Sequence, residues 1–140
     1  MKILFCILCL CISNLAFAQS AADYYEEALA LYKKKNYNAA LIKIEKTMKL
    51  DASKMDYYAF WAEANIELKR YRDAYSIYGL ALEQFPEESL LYNNRANLLL
   101  KLRGEEEAIK DYTQAIKFAK NERTLITYLS NRAGGKISIM

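Results

Sequence analysis

The sequence predicts an all-α protein, a stack of three helix-turn-helix repeats closed by a C-terminal capping helix. Small and aromatic residues recur every 34 positions, as in Tyr24, Tyr58 and Tyr92. Within each repeat, the apolar residues follow the spacing of one face of a helix. Turn-forming residues and helix breakers fall between the predicted helices. Together these three observations favour stacked helical hairpins over any fold with strands.

Aligning the three copies gives five sets of equivalent positions, which we call columns, and each set keeps the 34-residue interval without a gap. The tyrosine column is the first of them. The other columns are Ala28, Ala62 and Ala96; Ala40, Ala74 and Ala108; Ile44, Tyr78 and Tyr112; and Thr47, Ala81 and Ala115. Self-similarity at this period is the signature of a repeat architecture. The predicted repeats span residues 21–54, 55–88 and 89–122 within a domain of residues 19–133.

Residues 1–18 have the pattern of a secretory signal peptide. Lys2 precedes an apolar run, and the small residues Ala16 and Ala18 flank the expected cut before Gln19. A permanent anchor is the less favoured alternative, because a spanning helix needs about 20 apolar residues. The pattern therefore predicts an exported protein, periplasmic or secreted, whose only link to a membrane would be an uncleaved leader.

Composition excludes several classes of function. Hydrophobic residues make up 54% of the 140 residues, enough for one folded domain. The charge balance of 20 − 17 = +3 is too small to predict nucleic-acid binding. Histidine is absent, and the three cysteines, Cys6, Cys9 and Cys11, all lie in the leader. With no mature thiol or imidazole, we predict that the protein is not an enzyme and binds no metal or cofactor.

The first repeat contains two predicted helices, residues 21–34 and 37–50. Each has one apolar stripe, formed by Tyr24, Ala28, Leu31 and Tyr32 in the first helix and by Ala40, Ile44, Thr47 and Met48 in the second. The lysines of residues 33–35 place positive charge at the negative end of the first helix dipole. Asn36 supplies the turn.

The second repeat contains predicted helices at residues 55–68 and 71–84, and Pro86 is well placed to open the next helix. The third contains helices at residues 89–102 and 105–118, joined at Gly104. Residues 105–107 are all glutamate, and they complement the positive end of the helix dipole. Glu107 and Asp111, four residues apart, are predicted to lie on a solvated face.

The capping helix is predicted from residue 122 to about residue 133, with Asn121 as its N-cap. Leu125, Tyr128 and Leu129 form its apolar side. We expect Gly134 and the glycine after it to stop this helix, leaving residues 134–140 as a flexible tail. Such a helix would cover the apolar face that a stack leaves open at its last repeat.

These residues resemble the tetratricopeptide repeat (TPR) family, and the match covers nearly all of the chain after the leader. The second copy matches best, with Tyr58, Trp61, Ala62, Asn65, Ala74, Tyr78 and Pro86 at the patterned positions. Glu27, Asn65 and Arg95 depart from the pattern in single copies. The resemblance implies a right-handed superhelical stack in which alanines allow close helix crossings. It also implies that Trp61 is a core spacer.

The resemblance further implies a concave face lined by the first helix of each repeat. The residues expected there are Tyr25, Leu29, Tyr32, Lys33, Phe60, Glu63, Ile66, Glu67, Asn93, Asn94, Asn97, Leu100 and Lys101. Such a mixture of aromatic, acidic and amide side chains suits a peptide or helix of a partner protein. The sequence thus predicts a non-catalytic scaffold or adaptor. The alternatives are a glycan-binding module that uses the aromatic rings, and a self-associating component of an envelope complex.

One subclass of the family clamps a C-terminal carboxylate with lysines, asparagines and an arginine, and this chain does not match it. The first copy has Tyr25 and Leu29 where a lysine and an asparagine would be needed. Phe60 replaces an asparagine in the second copy, and Leu90 and Asn94 replace a lysine and an arginine in the third. A receptor for chaperone tails is therefore disfavoured.

Overall fold

The computed structural model describes residues 19–137, so the predicted leader and the last three residues lie outside the described residues. Its helices are α1 Ala21–Lys33, α2 Tyr37–Leu50, α3 Met55–Glu67, α4 Tyr71–Gln84, α5 Ser89–Lys101, α6 Glu105–Lys117 and α7 Glu122–Ile137. The described part of the chain contains no strand. None of its helices combines the length and apolar character needed to cross a membrane. The predicted all-α class is confirmed.

The helices form three antiparallel pairs, α1 with α2, α3 with α4 and α5 with α6, and each pair packs on the next. The alanines of the repeat columns lie where the helices cross. No surface of these side chains is exposed, and they are Ala28, Ala40, Ala62, Ala74, Ala81, Ala96, Ala108 and Ala115. A methyl side chain lets two helix backbones approach closely, and larger side chains fill the space beside the crossing. The result is the predicted right-handed superhelical stack.

The turns within the three pairs repeat one backbone conformation. Lys35, Lys69 and Arg103 have φ angles of 60°, 58° and 60°, and they lie 34 residues apart. After each of them, the next backbone N–H bonds to a carbonyl five residues earlier, as from Arg70 to Asn65 at 2.9 Å. This is the Schellman arrangement that satisfies the last carbonyls of a helix. Non-glycine residues therefore hold a left-handed conformation at all three turns.

Arg95 and Asp111 form a partly buried ion pair that the sequence pattern did not predict. Both guanidinium bonds to the carboxylate, from Nε and from an Nη, measure 2.7 Å. Asp111 is only 6% exposed, so its predicted place on a solvated face is wrong. The guanidinium also lies 5.8 Å from the ring centroids of Tyr75 and Tyr92. The hydrogen bonds to Asp111 raise the pKa of Arg95, and the carboxylate explains why a charged residue occupies an apolar position of the repeat.

The last helix packs on α6 and α5, as expected of a cap. The Oδ1 of Asn121 accepts from the Thr124 amide at 2.9 Å, and Tyr128 is buried. Two predictions about this helix were wrong. The helix continues through Gly134 to Ile137, because glycine weakens a helix without breaking it. Leu129, predicted to lie inward, is 40% exposed.

Pro86 lies in the connection between α4 and α5 and does not open α5, which begins three residues later at Ser89. Its carbonyl accepts a 3.0 Å hydrogen bond from the hydroxyl of Tyr92. Proline at this point ends the preceding helix because its ring is incompatible with a helix interior. The hydrogen bond from Tyr92 therefore attaches the connection to α5.

Replacing Lys69 by glycine should stabilise the protein by about 0.5–1 kcal/mol, because glycine adopts a positive φ without a Cβ clash. The gain is limited by the greater freedom of glycine in the unfolded chain. Urea denaturation followed by circular dichroism measures the change. Lys69→Ala is the matched control, since it removes the same side chain and keeps the strain. A glycine variant no more stable than the alanine variant would contradict this account.

Asp111→Asn should destabilise the protein by about 3 kcal/mol, because it leaves the guanidinium of Arg95 partly buried without a counter-charge. The low end of the usual range applies because the Arg95 side chain keeps 20% exposure. Glu107→Gln, one turn earlier on an exposed position, should change the free energy of unfolding by less than about 0.5 kcal/mol. Equal effects of the two variants in urea denaturation would show that the ion pair does not stabilise the fold.

Candidate functional site

A groove of about 410 Å³ lies between α3 and α5, the first helices of the second and third pairs. In this fold the first helices line the concave face, so we name it the concave groove. Its lining residues are Ala59, Glu63, Ile66, Glu67, Tyr78, Leu90, Asn94, Asn97, Leu98 and Lys101. Six of them, Glu63, Ile66, Glu67, Asn94, Asn97 and Lys101, are among the thirteen residues that the sequence analysis placed on this face. These six come together at one site.

The two walls of the groove differ in chemistry. Glu63 and Glu67 project from α3, one helical turn apart and exposed. Asn94, Asn97 and Lys101 line the α5 side. The groove can therefore offer acceptors on one wall and donors on the other, which is the arrangement that a peptide backbone with polar side chains requires.

The amide of Asn97 is oriented by the core beneath it. The hydroxyl of Tyr112, a residue that is 1% exposed, donates to the Oδ1 of Asn97 at 2.6 Å. This bond fixes the orientation of the amide and leaves its Nδ2 hydrogens available to donate. Asn97 is thus held as a hydrogen-bond donor at the groove.

The carboxylate of Glu63 interacts with neighbouring tyrosines. The Tyr32 hydroxyl donates to its Oε1 at 3.1 Å. Burial is the main cause that raises the pKa values of Tyr25, Tyr32 and Tyr78, and the negative charge of Glu63 raises each of them further. The pKa of Tyr37 is raised by burial and then by Glu67. All four phenols are therefore neutral hydrogen-bond donors at physiological pH.

The aromatic residues expected on the first third of the face pack on one another. The ring centroids of Tyr25 and Phe60 lie 5.6 Å apart in an edge arrangement, and those of Tyr32 and Phe60 lie 5.3 Å apart. Tyr25 also packs on Tyr57 at 4.6 Å, and Tyr32 packs on Tyr37 at 5.1 Å. Leu29 joins the same apolar cluster. Much of this aromatic surface therefore stabilises the contact between the first two helix pairs.

Two of the expected site residues are buried and do not present their side chains to a partner. Phe60 is 6% exposed at the centre of the aromatic cluster. Asn93 is 7% exposed, and its Oδ1 accepts from the Nδ2 of Asn131 on α7 at 2.8 Å. Leu100 is partly buried against the core around Ala96 and Tyr112, whereas Lys33 is exposed at the end of α1. The groove is consequently narrower than the face expected from the sequence.

Four groove residues, Ala59, Tyr78, Leu90 and Leu98, were missing from the sequence-based set. Leu90 could have been found, because it precedes Asn94 and Asn97 at helical spacing i, i+4 and i+7. Tyr78 could not, since it belongs to a second helix and is 2% exposed, reaching the groove only at its floor.

A larger crevice of about 640 Å³ lies on the other side of the stack, lined mainly by the second helices α2 and α4. Its residues are Glu45, Met48, Lys49, Tyr58, Trp61, Leu80, Glu83 and Gln84. Trp61 also packs against two core clusters, as expected of a spacer. The crevice contains none of the expected partner-binding residues.

Solved structures with this arrangement include TPR domains. The first TPR of Spaghetti (RPAP3) bound to the HSP90 peptide SRMEEVD is similar with a TM-score of 0.76 and 22% identity, over 87% of this chain and 94% of that chain. The Yersinia enterocolitica type III secretion chaperone SycD in complex with a peptide of the translocator YopD gives 0.77 and 18%, over 85% and 94%. The Arabidopsis OM64 TPR domain gives 0.71 and 22%, over 82% and 95%.

These similarities establish that the chain has the TPR fold. No protein-family model matches the sequence. No curated protein matches it either. The fold is therefore known from the coordinates and from the repeat pattern.

Proposed function

We propose that this protein is a non-catalytic adaptor of three TPR repeats that binds a peptide or helix segment of a partner protein in the concave groove. The observation that carries the proposal is that six residues predicted to lie on the concave face line one groove, between the first helices α3 and α5. An open groove with an apolar floor and polar walls has the composition of a peptide-binding surface.

The oriented amide of Asn97 supports this proposal. A donor fixed in place by a buried tyrosine loses little conformational entropy on binding, so it can bond a peptide carbonyl at low cost. Leu90, 42% exposed at the edge of the groove, supplies an apolar contact beside it. The RPAP3 and SycD structures contain bound peptides, which is consistent with the same use of this fold here.

Leu90→Ala should weaken partner binding about 5- to 30-fold, because it removes an apolar contact from the groove. Leu80→Ala is the matched control: Leu80 is 50% exposed in the crevice on the other side. A pull-down from the native cell identifies the partner, and titration calorimetry with the purified pair measures both variants. A partner lost with Leu80→Ala and retained with Leu90→Ala would move the binding site to that crevice and contradict the proposal.

We also propose that the adaptor works outside the cytoplasm. The leader pattern supports this, since cleavage before Gln19 would leave Ser20 in place as the N-cap of α1. Ser20 and Asp23 form a capping box, in which the Ser20 amide donates to Asp23 at 2.8 Å. A cut at this point would preserve the start of the first helix.

Expressed from Met1 in a bacterium with a periplasm, the protein should be recovered from the periplasmic fraction with Gln19 as its first residue. Ala18→Leu should block processing, because the peptidase needs a small residue before the cut. N-terminal sequencing of both fractions measures the outcome. A soluble protein that retains Met1 in the cytoplasm would refute the export proposal and leave the adaptor proposal unaffected.

A further inference from the structure

We propose that the segment bound in the concave groove presents an arginine or lysine side chain to Glu63 and Glu67. The inference rests on the proposed function, because it names the chemistry of the partner that the groove takes. Its basis is the charge of the two walls, the contacts of Glu63 and the apolar floor between the walls.

All charged residues of α3 are acidic. Along its 13 residues this helix carries Asp56, Glu63 and Glu67 and has neither lysine nor arginine. Within the described part of the chain, neither Glu63 nor Glu67 takes part in a salt bridge, whereas Glu27, Glu88 and Asp111 each pair with a cation. The groove therefore contains two exposed carboxylates that form no salt bridge within the described residues.

The two carboxylates line the same groove. They are four residues apart on one helix face, where like charges repel each other modestly. A guanidinium or ammonium group between them would remove that repulsion and gain two charge-assisted hydrogen bonds. Glu63 is already oriented by the hydroxyl of Tyr32, and its second oxygen remains available to such a donor.

The aromatic surroundings fit a cation. Tyr32 and Tyr78 lie close enough to Glu63 for its charge to raise their pKa values, and Tyr78 and Ile66 form part of the groove lining. The aliphatic stem of an arginine or lysine can pack on such apolar surface while its charged end reaches the carboxylates. An acidic side chain in the same place would meet like charge on the α3 wall.

The α5 wall has no carboxylate for a basic side chain, so the basic side chain of the bound segment lies on the α3 side. Along its 13 residues this helix has no acidic residue, and Lys101 lines the groove beside Asn94 and Asn97. Lys101 and the asparagines suit the carbonyl groups of the bound segment. This polarity orients the segment, with its basic side chain toward α3 and its backbone carbonyls toward α5.

The test is a selection of random 12-residue peptides on the full-length chain, followed by affinity measurement with synthetic copies of the selected sequences. Each copy is paired with a version in which arginine is replaced by citrulline, or lysine by acetyl-lysine, which removes the charge and keeps the size.

We expect enrichment of basic residues and about tenfold weaker binding of the charge-neutralised copies. The double variant Glu63→Gln and Glu67→Gln should bind each basic peptide and its charge-neutralised version with equal affinity. The double variant Glu45→Gln and Glu83→Gln, with the same net charge change in the crevice on the other side, should keep the discrimination. Lys101→Gln should leave the preference for basic peptides intact.

Acidic or uncharged peptides that bind and lose affinity with Leu90→Ala would overturn the inference and leave the adaptor proposal standing. The inference would also be overturned if the double variant Glu63→Gln and Glu67→Gln still bound the basic peptides more tightly than their charge-neutralised versions. Selected peptides whose affinity is insensitive to Leu90→Ala would contradict both proposals. Denaturation midpoints of all variants exclude misfolding as a cause, since both glutamates are exposed.

Discussion

Close approach of the helices is the constraint on which the rest of the structure depends. Two helices can cross at short distance only if the side chains at the crossing are small, and here every crossing alanine is fully buried. Because the alanines recur every 34 residues, successive pairs repeat the same geometry. The first helices therefore follow one another along the concave face, and Glu63 and Asn97, which lie in different pairs, line the same groove.

Periodicity predicts which side of a helix faces the core, and it did so well for this chain. The boundaries of the first six helices agree with the predicted ones to within one residue, since apolar stripes and turn residues are local features. Pairing between distant polar residues is not local. Arg95 and Asp111 lie 16 residues apart and meet only because α5 and α6 fold back on each other. The single signal was a charged residue at an apolar position of the repeat, which required a buried counter-charge somewhere.

The prediction of exposed residues on the concave face was wrong near each end of the face, for different reasons. Phe60 is buried because the first pair places Tyr25 and Tyr32 against it, so aromatic rings expected to meet a partner meet one another. Asn93 is buried because α7 occupies the place that a further repeat would take. A repeat pattern predicts the same environment for equivalent residues in all copies. In a short stack, however, only the middle helix pair packs between two other pairs. This is why the groove lies between α3 and α5.

Asn97 shows how the core and the surface of this fold depend on each other. Its position in the repeat pattern carries no packing requirement, yet its oxygen satisfies the hydroxyl of Tyr112, a column residue that is 1% exposed. A buried hydroxyl without a partner costs about 1–3 kcal/mol, so the bond stabilises the third pair as well as orienting the amide. Loss of Asn97 would therefore reduce stability and binding together. Leu90 has no side-chain hydrogen-bonding group, and the hydrogen bond that Glu63 accepts from the Tyr32 hydroxyl is exposed, so substitution of Leu90 or Glu63 separates recognition from folding.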